Sequence, residues 1–485
     1  MTLVILTLYL LLILGVGVYG NRLLRGTGED YFLASRSIGP FVLLMTLFGT
    51  HMTAFSLLGA SGEAYHRGIG VFSLMASSSA LVVPVVFLFI GTRLWQIGKR
   101  EEFLTQVQFF RERWGSDRLA LALFFILVVL LVPYLLIGVM GGGITFAQIT
   151  NGLIPQWLGS LIICAVVSIY VTAGGVRSTA WANTVQTLVF MALGSVTFVV
   201  IVRALGGLDG AWGRVDPTLL MHGNRVPAAK LFSYTLIPLS VGMFPHIFMH
   251  WLTARDHQTF RLPVIAYPLC IAIVWFPSVV LGVLGNIDTP GLEGPAANSI
   301  LLQMISQYAP EILVGFLGAG VFAAVMSSLD SQILSLSTLF THDIVGRHWH
   351  RSSGGGREHI RLGRIFVVLI LAVTYLLSLV SNRSIFALGV WSFTGFAALF
   401  PLVVAALYWR RSTKYGAWAS VLTVSALWLY FFVRGWSIPG YTVGGSGLMP
   451  VAVILPASAI AMIAGTLLGP RPKQESIDRF FPERF

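Results

Sequence analysis

The chain has 485 residues, 56% of them hydrophobic and only 10% charged, with a formal net charge of +12 and a mean hydropathy of +0.82. Soluble domains run near 25% charged, so a composition this apolar implies repeated burial in lipid and excludes a soluble enzyme. The surplus of basic residues is read as that of loops flanking membrane spans rather than of a nucleic-acid binder.

A helical span needs about 20 apolar residues. By that measure thirteen are expected, at 2–21, 39–64, 69–97, 118–149, 155–175, 181–205, 231–253, 262–287, 311–341, 362–381, 384–409, 414–434 and 448–469. No basic residue precedes the first, while Arg22 and Arg25 follow it. It therefore reads as a retained span with its N-terminus outside, not as a cleaved signal. In that orientation most of the 31 Lys and Arg residues fall on the cytoplasmic side, including Lys99, Arg100, Arg111, Arg113, Arg347, Arg361 and Arg364. An odd number of spans then puts the C-terminus in the cytoplasm, and the sparse loops suit a bacterial inner membrane. Outside the spans, 98–117 is charged and partly amphipathic, as a short interfacial helix would be; 206–230 is an external loop; 347–358, with its SSGGG run, is a flexible linker. Cys164 and Cys270 lie inside spans and read as small buried hydrophobes.

Two spans carry signals of interruption. The second holds Gly49, Gly59 and Gly62 among Thr50, Thr53, Ser56 and Ser61; the seventh holds Pro238, Gly242 and Pro245. Proline removes a helical hydrogen bond, and broken helices at matched positions of two halves mark transporter sites. The two spans are five apart, so spans 2–6 and 7–11 are expected to form five-helix repeats, inverted because five is odd. Packing alone also places glycine and proline in membrane helices. The organisation expected is one all-α polytopic transporter domain over 1–485. An extra N-terminal helix and loop occupy 1–38, the repeats 39–206 and 231–410, and two extra helices and a tail 411–485.

The ninth span contains AAVMSSLDSQ, residues 323–332. A carboxylate at the centre of a span costs roughly 2.5–3.5 kcal/mol on insertion scales, so Asp330 calls for a cavity, a partner or an ion. The Ala324 carbonyl and the Ser327 and Ser328 hydroxyls lie within one turn. That all-oxygen, low-charge set suits a hard cation rather than a transition metal. Serines bonding back to carbonyls four residues earlier are the competing role.

Four stretches resemble the sodium:solute symporter family. Asp30–Ser37 (DYFLASRS) is similar to its DYFLAGRS signature. Thr172–Trp181 (TAGGVRSTAW) is similar to its TGGxxAVxWTD-type stretch, Pro245-His246-Ile247 to its GxPHI element, and Ala324–Ser328 to its AxxMSS/T element. The resemblance implies a leucine-transporter-like fold with two inverted repeats, Na+ as coupling ion and no organic cofactor. It also implies a sodium seat made by the carbonyls of Gly49, Met52 and Ala324 and the hydroxyls of Ser327 and Ser328. The chain departs from the family at Asn183, where many members have an aspartate at a second sodium. Asp330, Ser331 and Asn183 are therefore a second cation site, a proton site, or a structural bridge.

Substrate contacts are expected from the broken helices: Thr50, His51, Thr53, Phe55 and Ser56 on one, Ser240, Phe244 and His246 on the other. His51 and the exposed helix ends favour an anion, a small carboxylate or pantothenate-like acid, with a sugar or amino acid as alternatives. Trp391, Phe393 and Phe396 read as packing aromatics, and His246 with His250, lacking an acid between them, as no zinc site. No acid pair, nucleophile–base pair or metal cluster points to an enzyme. The function expected is sodium-coupled symport of a small organic solute, the partners being that substrate, the sodium ion and the bilayer, with no nucleic acid. A proton-coupled symporter, a uniporter or channel, and a transporter-like sensor are the alternatives. About 16 residues after the last span leave no output domain expected.

Overall fold

The computed structural model describes residues 1–20, 36–221, 225–349, 356–472 and 474–481, with backbone alone at 16–20, 173–178, 348–349 and 356–360. The DYFLASRS residues Asp30–Ser35 and most of the 347–358 linker lie outside the described residues. The rest is helical, and the isolated backbone bridge Ile38–Ala254 is the β-type pairing among the described residues.

In chain order, α1 is Thr2–Gly20. A bent pair follows, α2 (Pro40–His51) and α3 (Phe55–Arg67), then α4 (Phe72–Arg100). The short α5 (Gln106–Trp114) leads into α6 (Asp117–Ile149), α7 (Gln156–Thr172) and α8 (Thr179–Ala204). A second bent pair, α9 (Ala228–Gly242) and α10 (Pro245–Leu252), precedes α11 (His257–Leu284). Then come α12 (Ile300–Tyr308), α13 (Glu311–Leu339), α14 (Gly356–Val380), α15 (Ile385–Tyr408), α16 (Lys414–Gly435), α17 (Val451–Leu468) and α18 (Gln474–Phe480). Among the described residues nine helices are long and apolar enough to cross a membrane, or eleven if each bent pair is one span. Two shorter apolar helices, Thr2–Gly15 and Gln156–Thr172, occupy the first and fifth positions of the hydropathy count.

Helical residues extend from Gln156 to Ala204, 49 in all. At about 1.5 Å per residue that is roughly 74 Å, more than twice a bilayer core of about 30 Å. The packing shows the chain doubling back. Along α6, Gly138 faces Leu329 and Ile149 faces Gly318, so α6 and α13 run antiparallel. Gly142 faces Ile163 and Phe146 faces Gly159, so α7 opposes α6 and runs with α13. Asn183 meets Ser331 while Leu193 meets Gly320, so α8 opposes α13. The reversal falls between Thr172 and Thr179.

Both expected breaks are present, at bends of 60° and 49°. In the first, Met52 takes extended angles (φ −84°, ψ 111°), which swings its carbonyl off the helix axis, and Thr53 restarts the helix by accepting Phe55 N–H on Oγ1 at 2.9 Å. In the second, the Ser240 carbonyl accepts the last two amides, of Met243 and Phe244. Phe244 is extended (φ −67°, ψ 123°), and Pro245 starts α10 where its missing N–H costs nothing. The three glycines 141–143 of α6 let Ala54 at the first break, Ile163 and Ser160 approach its backbone.

The expected interfacial helix in 98–117 is α5, capped by the Thr105 hydroxyl and ended by Gly115 at φ 57°. The C-terminal α18 lies across it: Phe480 packs on Phe103 and Phe109, Arg479 bonds Glu101 and Glu112, and Ser476 bonds the Arg113 carbonyl. Cys164 and Cys270 are free and buried.

Candidate functional site

The residues singled out on the first broken helix and on α13 meet at the first break. Ser327 Oγ donates at 3.0 Å to the Gly49 carbonyl of α2 and lies 3.1 Å from the Ala324 carbonyl of its own helix. Ser328 Oγ lies 3.0 Å from the Val325 carbonyl and 3.4 Å from that of Ala324. Both serines thus bond back along α13, and Ser327 also reaches across to α2. Gly49 also lets α8 come close: a Cβ there would stand 2.0 Å from Thr187 Oγ1, so α8 presses on α2 at the turn whose carbonyl bonds Ser327. The result is a fully buried set of carbonyl and hydroxyl oxygens without formal charge, the donor chemistry of a hard cation.

One turn further along α13 a second polar group continues inward. Asn183 Nδ2 donates to Ser331 Oγ at 2.7 Å, and Ser331 Oγ is 3.1 Å from Asp330 Oδ1. His250 Nε2 lies 3.3 Å from the same serine. Asp330 is completely buried, its second carboxylate oxygen has no hydrogen-bond partner, and the Asn183 carbonyl oxygen has none either. No ion pair joins Asp330 to a cation among the described residues. Ser331 thus bridges Asn183 and Asp330. Tyr9 on α1 and Tyr170 on α7, which sequence reasoning passed over, also border Asp330.

The expected substrate residues divide. His51, Phe55, Phe244 and His246 share one aromatic cluster. His51 pairs with the Tyr267 hydroxyl and Phe244 stacks on His246 at 5.1 Å. Phe393 of α15 packs on Phe55, Tyr134 and Phe244. Thr50 Oγ1 and both His246 ring nitrogens are buried without partners. The Thr53 and Ser56 side chains instead serve the restart of the helix, Ser56 Oγ donating to the Thr53 carbonyl at 2.8 Å. Ser240 is buried beside the second break and contributes its carbonyl there. Tyr134 was missed: its hydroxyl donates to the His51 carbonyl freed by the break, at 3.1 Å. So was Tyr267. The available signal was a phenol inside an apolar span, which must find a partner when buried.

Above this cluster, on the side where α3 ends and α9 begins, lies a vestibule of about 840 Å³, lined among others by Glu63, Arg67, Lys230, Arg383, Trp391 and Thr394. None of the expected substrate residues lines it. Phe386, which lines the vestibule, stacks on Phe55 at 5.7 Å and on Tyr234 at 6.2 Å. Among the described residues no group of three or more His, Cys, Asp or Glu converges as a metal site would require.

This architecture of two bent helices facing one long polar helix is that of secondary transporters. The sequence profile of the Sodium:solute symporter family matches residues 31–423, and the chain belongs to that family. It is 27% identical over 97% of both chains to the sodium/pantothenate symporter of Escherichia coli (strain K12). It is 25% identical to the osmoregulated proline transporter OpuE of Bacillus subtilis (strain 168), over 93% of this chain and 92% of that one. Among solved structures, a Na+-coupled sialic acid symporter in a substrate-bound outward-open state superposes with a TM-score of 0.78 at 16% identity, over 98% of this chain and 99% of that one. Mhp1, a nucleobase-cation-symport-1 family transporter, superposes with 0.62 at 13% identity, over 94% and 99%. The fold is leucine-transporter-like, all-helical and membrane-embedded.

Proposed function

We propose that the chain is a sodium-coupled symporter of a small organic carboxylate, working by alternating access. The observation that carries this reading is the Ser327–Gly49 contact, which ties the broken helix to α13 through neutral oxygens alone. In this reading the carbonyls of Gly49, Met52 and Ala324 and the hydroxyls of Ser327 and Ser328 turn toward one sodium ion. The ion then replaces hydrogen bonds that those hydroxyls make to carbonyls and holds α2 against α13. A solute that needs the assembled break binds more tightly with sodium present, and sodium more tightly with solute, as linkage requires. Residues 39–206 and 231–410 act as the two inverted repeats, and the vestibule faces the outside.

The carboxylate is supported by two relatives of similar identity, one a pantothenate symporter and the other a proline transporter; both named solutes carry that group. Thr50 and His246, at the two breaks, offer buried polar atoms without partners to a polar solute. Asp330, Ser331 and Asn183 form a second cation or proton seat, a reading favoured by a buried carboxylate whose neighbours are hydroxyls and amides. The test is uptake of labelled pantothenate and proline into proteoliposomes under an imposed inward sodium gradient. Accumulation driven by sodium and not by a proton gradient is expected. Uptake driven by protons alone would move the coupling to Asp330, and equilibration without accumulation would make the protein a uniporter.

A further inference from the structure

We propose that the vestibule is itself a binding site for the carboxylate, with Arg383 and Lys230 taking the anion and an aromatic wall taking the rest of the molecule. This rests on the reading of the chain as a carboxylate symporter and adds a second, outer site that the solute occupies before the central one.

The cavity has the size of a small-molecule site, about 840 Å³. Its lining sets four cations, Arg67, Arg225, Lys230 and Arg383, against one carboxylate, Glu63. Glu63 is already divided between Arg67 and Lys230, the latter at 3.2 Å. Arg225 leans on Asp216 at 3.7 Å and on the His66 carbonyl at 2.9 Å. Arg383 has no ion pair among the described residues, and its Nε is buried without an acceptor. Its guanidinium lies 5.1 Å over the Trp436 ring. A guanidinium held face-on by an indole keeps its in-plane N–H donors for a planar, two-oxygen anion. Unlike the other cations of the lining, Arg383 thus brings an uncommitted donor to the wall of the cavity.

Lys230 completes the seat. It is 7% exposed, has three donors, and has Glu63 as its hydrogen-bonded acceptor. Its ammonium also stands 5.6 Å over the Phe386 ring, the middle ring of the stack with Phe55 and Tyr234. An anion arriving at Lys230 therefore comes up against that stack. Trp391 and Tyr441, stacked at 6.2 Å, with Trp436, offer flat apolar faces for the body of the solute. Thr394 Oγ1, buried and without a partner, offers it a hydrogen bond. A neutral sugar would leave the surplus cations unused, and a cation would be repelled by them. The site thus concentrates anions at the mouth of the path and discriminates by charge before the central site is reached.

The test is thermal stabilisation of the purified full-length protein in detergent, titrated with pantothenate, proline, inorganic phosphate and panthenol, the alcohol that keeps the body of pantothenate and lacks its carboxylate. Pantothenate, a net anion, should stabilise the wild type, and panthenol, or proline with its compensating ammonium, at least tenfold more weakly. Arg383→Gln should weaken the carboxylate at least tenfold while leaving the stabilisation by sodium alone unchanged. Because Lys230→Gln alone strands Glu63, Glu63→Gln/Lys230→Gln serves as the second variant, with a loss of similar size. In Ser328→Ala, where the sodium seat is broken, carboxylate stabilisation should persist. Carboxylate binding that survives in Arg383→Gln and in the double variant but disappears in Ser328→Ala would overturn the outer site and leave the symporter reading standing. Equal stabilisation by phosphate and pantothenate would also overturn it, reducing the site to an anion hole without solute selectivity. Stabilisation by sodium with none by either carboxylate would overturn both the outer site and the substrate class. No stabilisation by sodium either would remove the coupling reading on which the proposal rests.

Discussion

Replacing Gly49 by alanine adds one carbon where α8 presses hardest on α2. The new Cβ would lie 2.0 Å from Thr187 Oγ1 and 3.4 Å from both Thr187 Cβ and the Asn183 carbonyl. The first contact is impossible and the other two are near the edge of ordinary packing, so the hydroxyl alone decides the outcome. Thr187 Oγ1 is held by its hydrogen bond to the Met45 carbonyl at 3.0 Å, so moving it forfeits a bond worth about 1 kcal/mol. Overpacking of this kind costs about 1–3 kcal/mol. Alanine gains only about 0.5–1 kcal/mol over glycine in a helix, so the clash wins and Gly49→Ala is destabilising. With Thr187→Ala the obstruction disappears and the sign reverses: in that background Gly49→Ala should be neutral or stabilising by about 0.5–1 kcal/mol. The assay is a four-protein unfolding cycle in detergent with potassium in place of sodium, so that ion binding adds nothing. A Gly49→Ala protein as stable as the wild type, or one not rescued by Thr187→Ala, would refute the close approach of α2 and α8.

Phe393→Ala removes the ring shared by Phe55, Tyr134 and Phe244 and should cost about 3–5 kcal/mol in the same unfolding assay; a cost below about 1 kcal/mol would mean that the cluster is loosely packed. Asn183→Asp places a second carboxylate beside Ser331 and Asp330, so the protein should lose stability in sodium-free buffer and regain it on adding sodium, with a steeper dependence than the wild type; unchanged steepness would argue against a second cation seat. At the α18 latch, partial burial alone would raise the Glu101 carboxyl, but hydrogen bonds from Arg479 and Arg100 outweigh it and hold the group below the ordinary carboxylate range. A depressed carboxyl stabilises the folded form above its unfolded value near 4.5, and that contribution is lost as pH falls through the lower folded value. Hydrogen exchange in Gln474–Phe480 should therefore be flat from pH 7 to about 5, once corrected for intrinsic rates, and rise only below about 4; release already at pH 6 would contradict this.

The sequence was most informative where lipid makes polar chemistry costly. Apolar runs outline the helices, and the proline and glycine of each interrupted span locate the two bends to within a few residues, because a lost backbone hydrogen bond has no water to replace it. Gly49, Ala324, Ser327 and Ser328 could be grouped since helical periodicity and the family resemblance both point to them. Side-chain partnerships across helices were less legible. Nothing local marks Tyr134 as the donor to the His51 carbonyl, or Tyr9 and Tyr170 as neighbours of Asp330, since those contacts join residues far apart in sequence. Thr53 and Ser56 show how local demands overlap with a substrate role: at the restart of the helix Thr53 Oγ1 accepts the Phe55 amide and Ser56 Oγ donates to the Thr53 carbonyl. The vestibule was invisible for a related reason. Glu63, Arg67, Lys230 and Arg383 come from three separate segments, and only the packed bundle sets them round one cavity.

The central claim, that the oxygens gathered at the first break hold a coupling sodium ion, is tested most directly by the thermal stability of the purified protein across sodium concentrations, at constant ionic strength against potassium, with Ser328→Ala measured beside it. The account predicts saturable stabilisation specific to sodium, about 2.7 kcal/mol at a hundredfold excess over the dissociation constant, and its loss in the variant. An equal response to potassium, or a sodium response that survives Ser328→Ala undiminished, would contradict it.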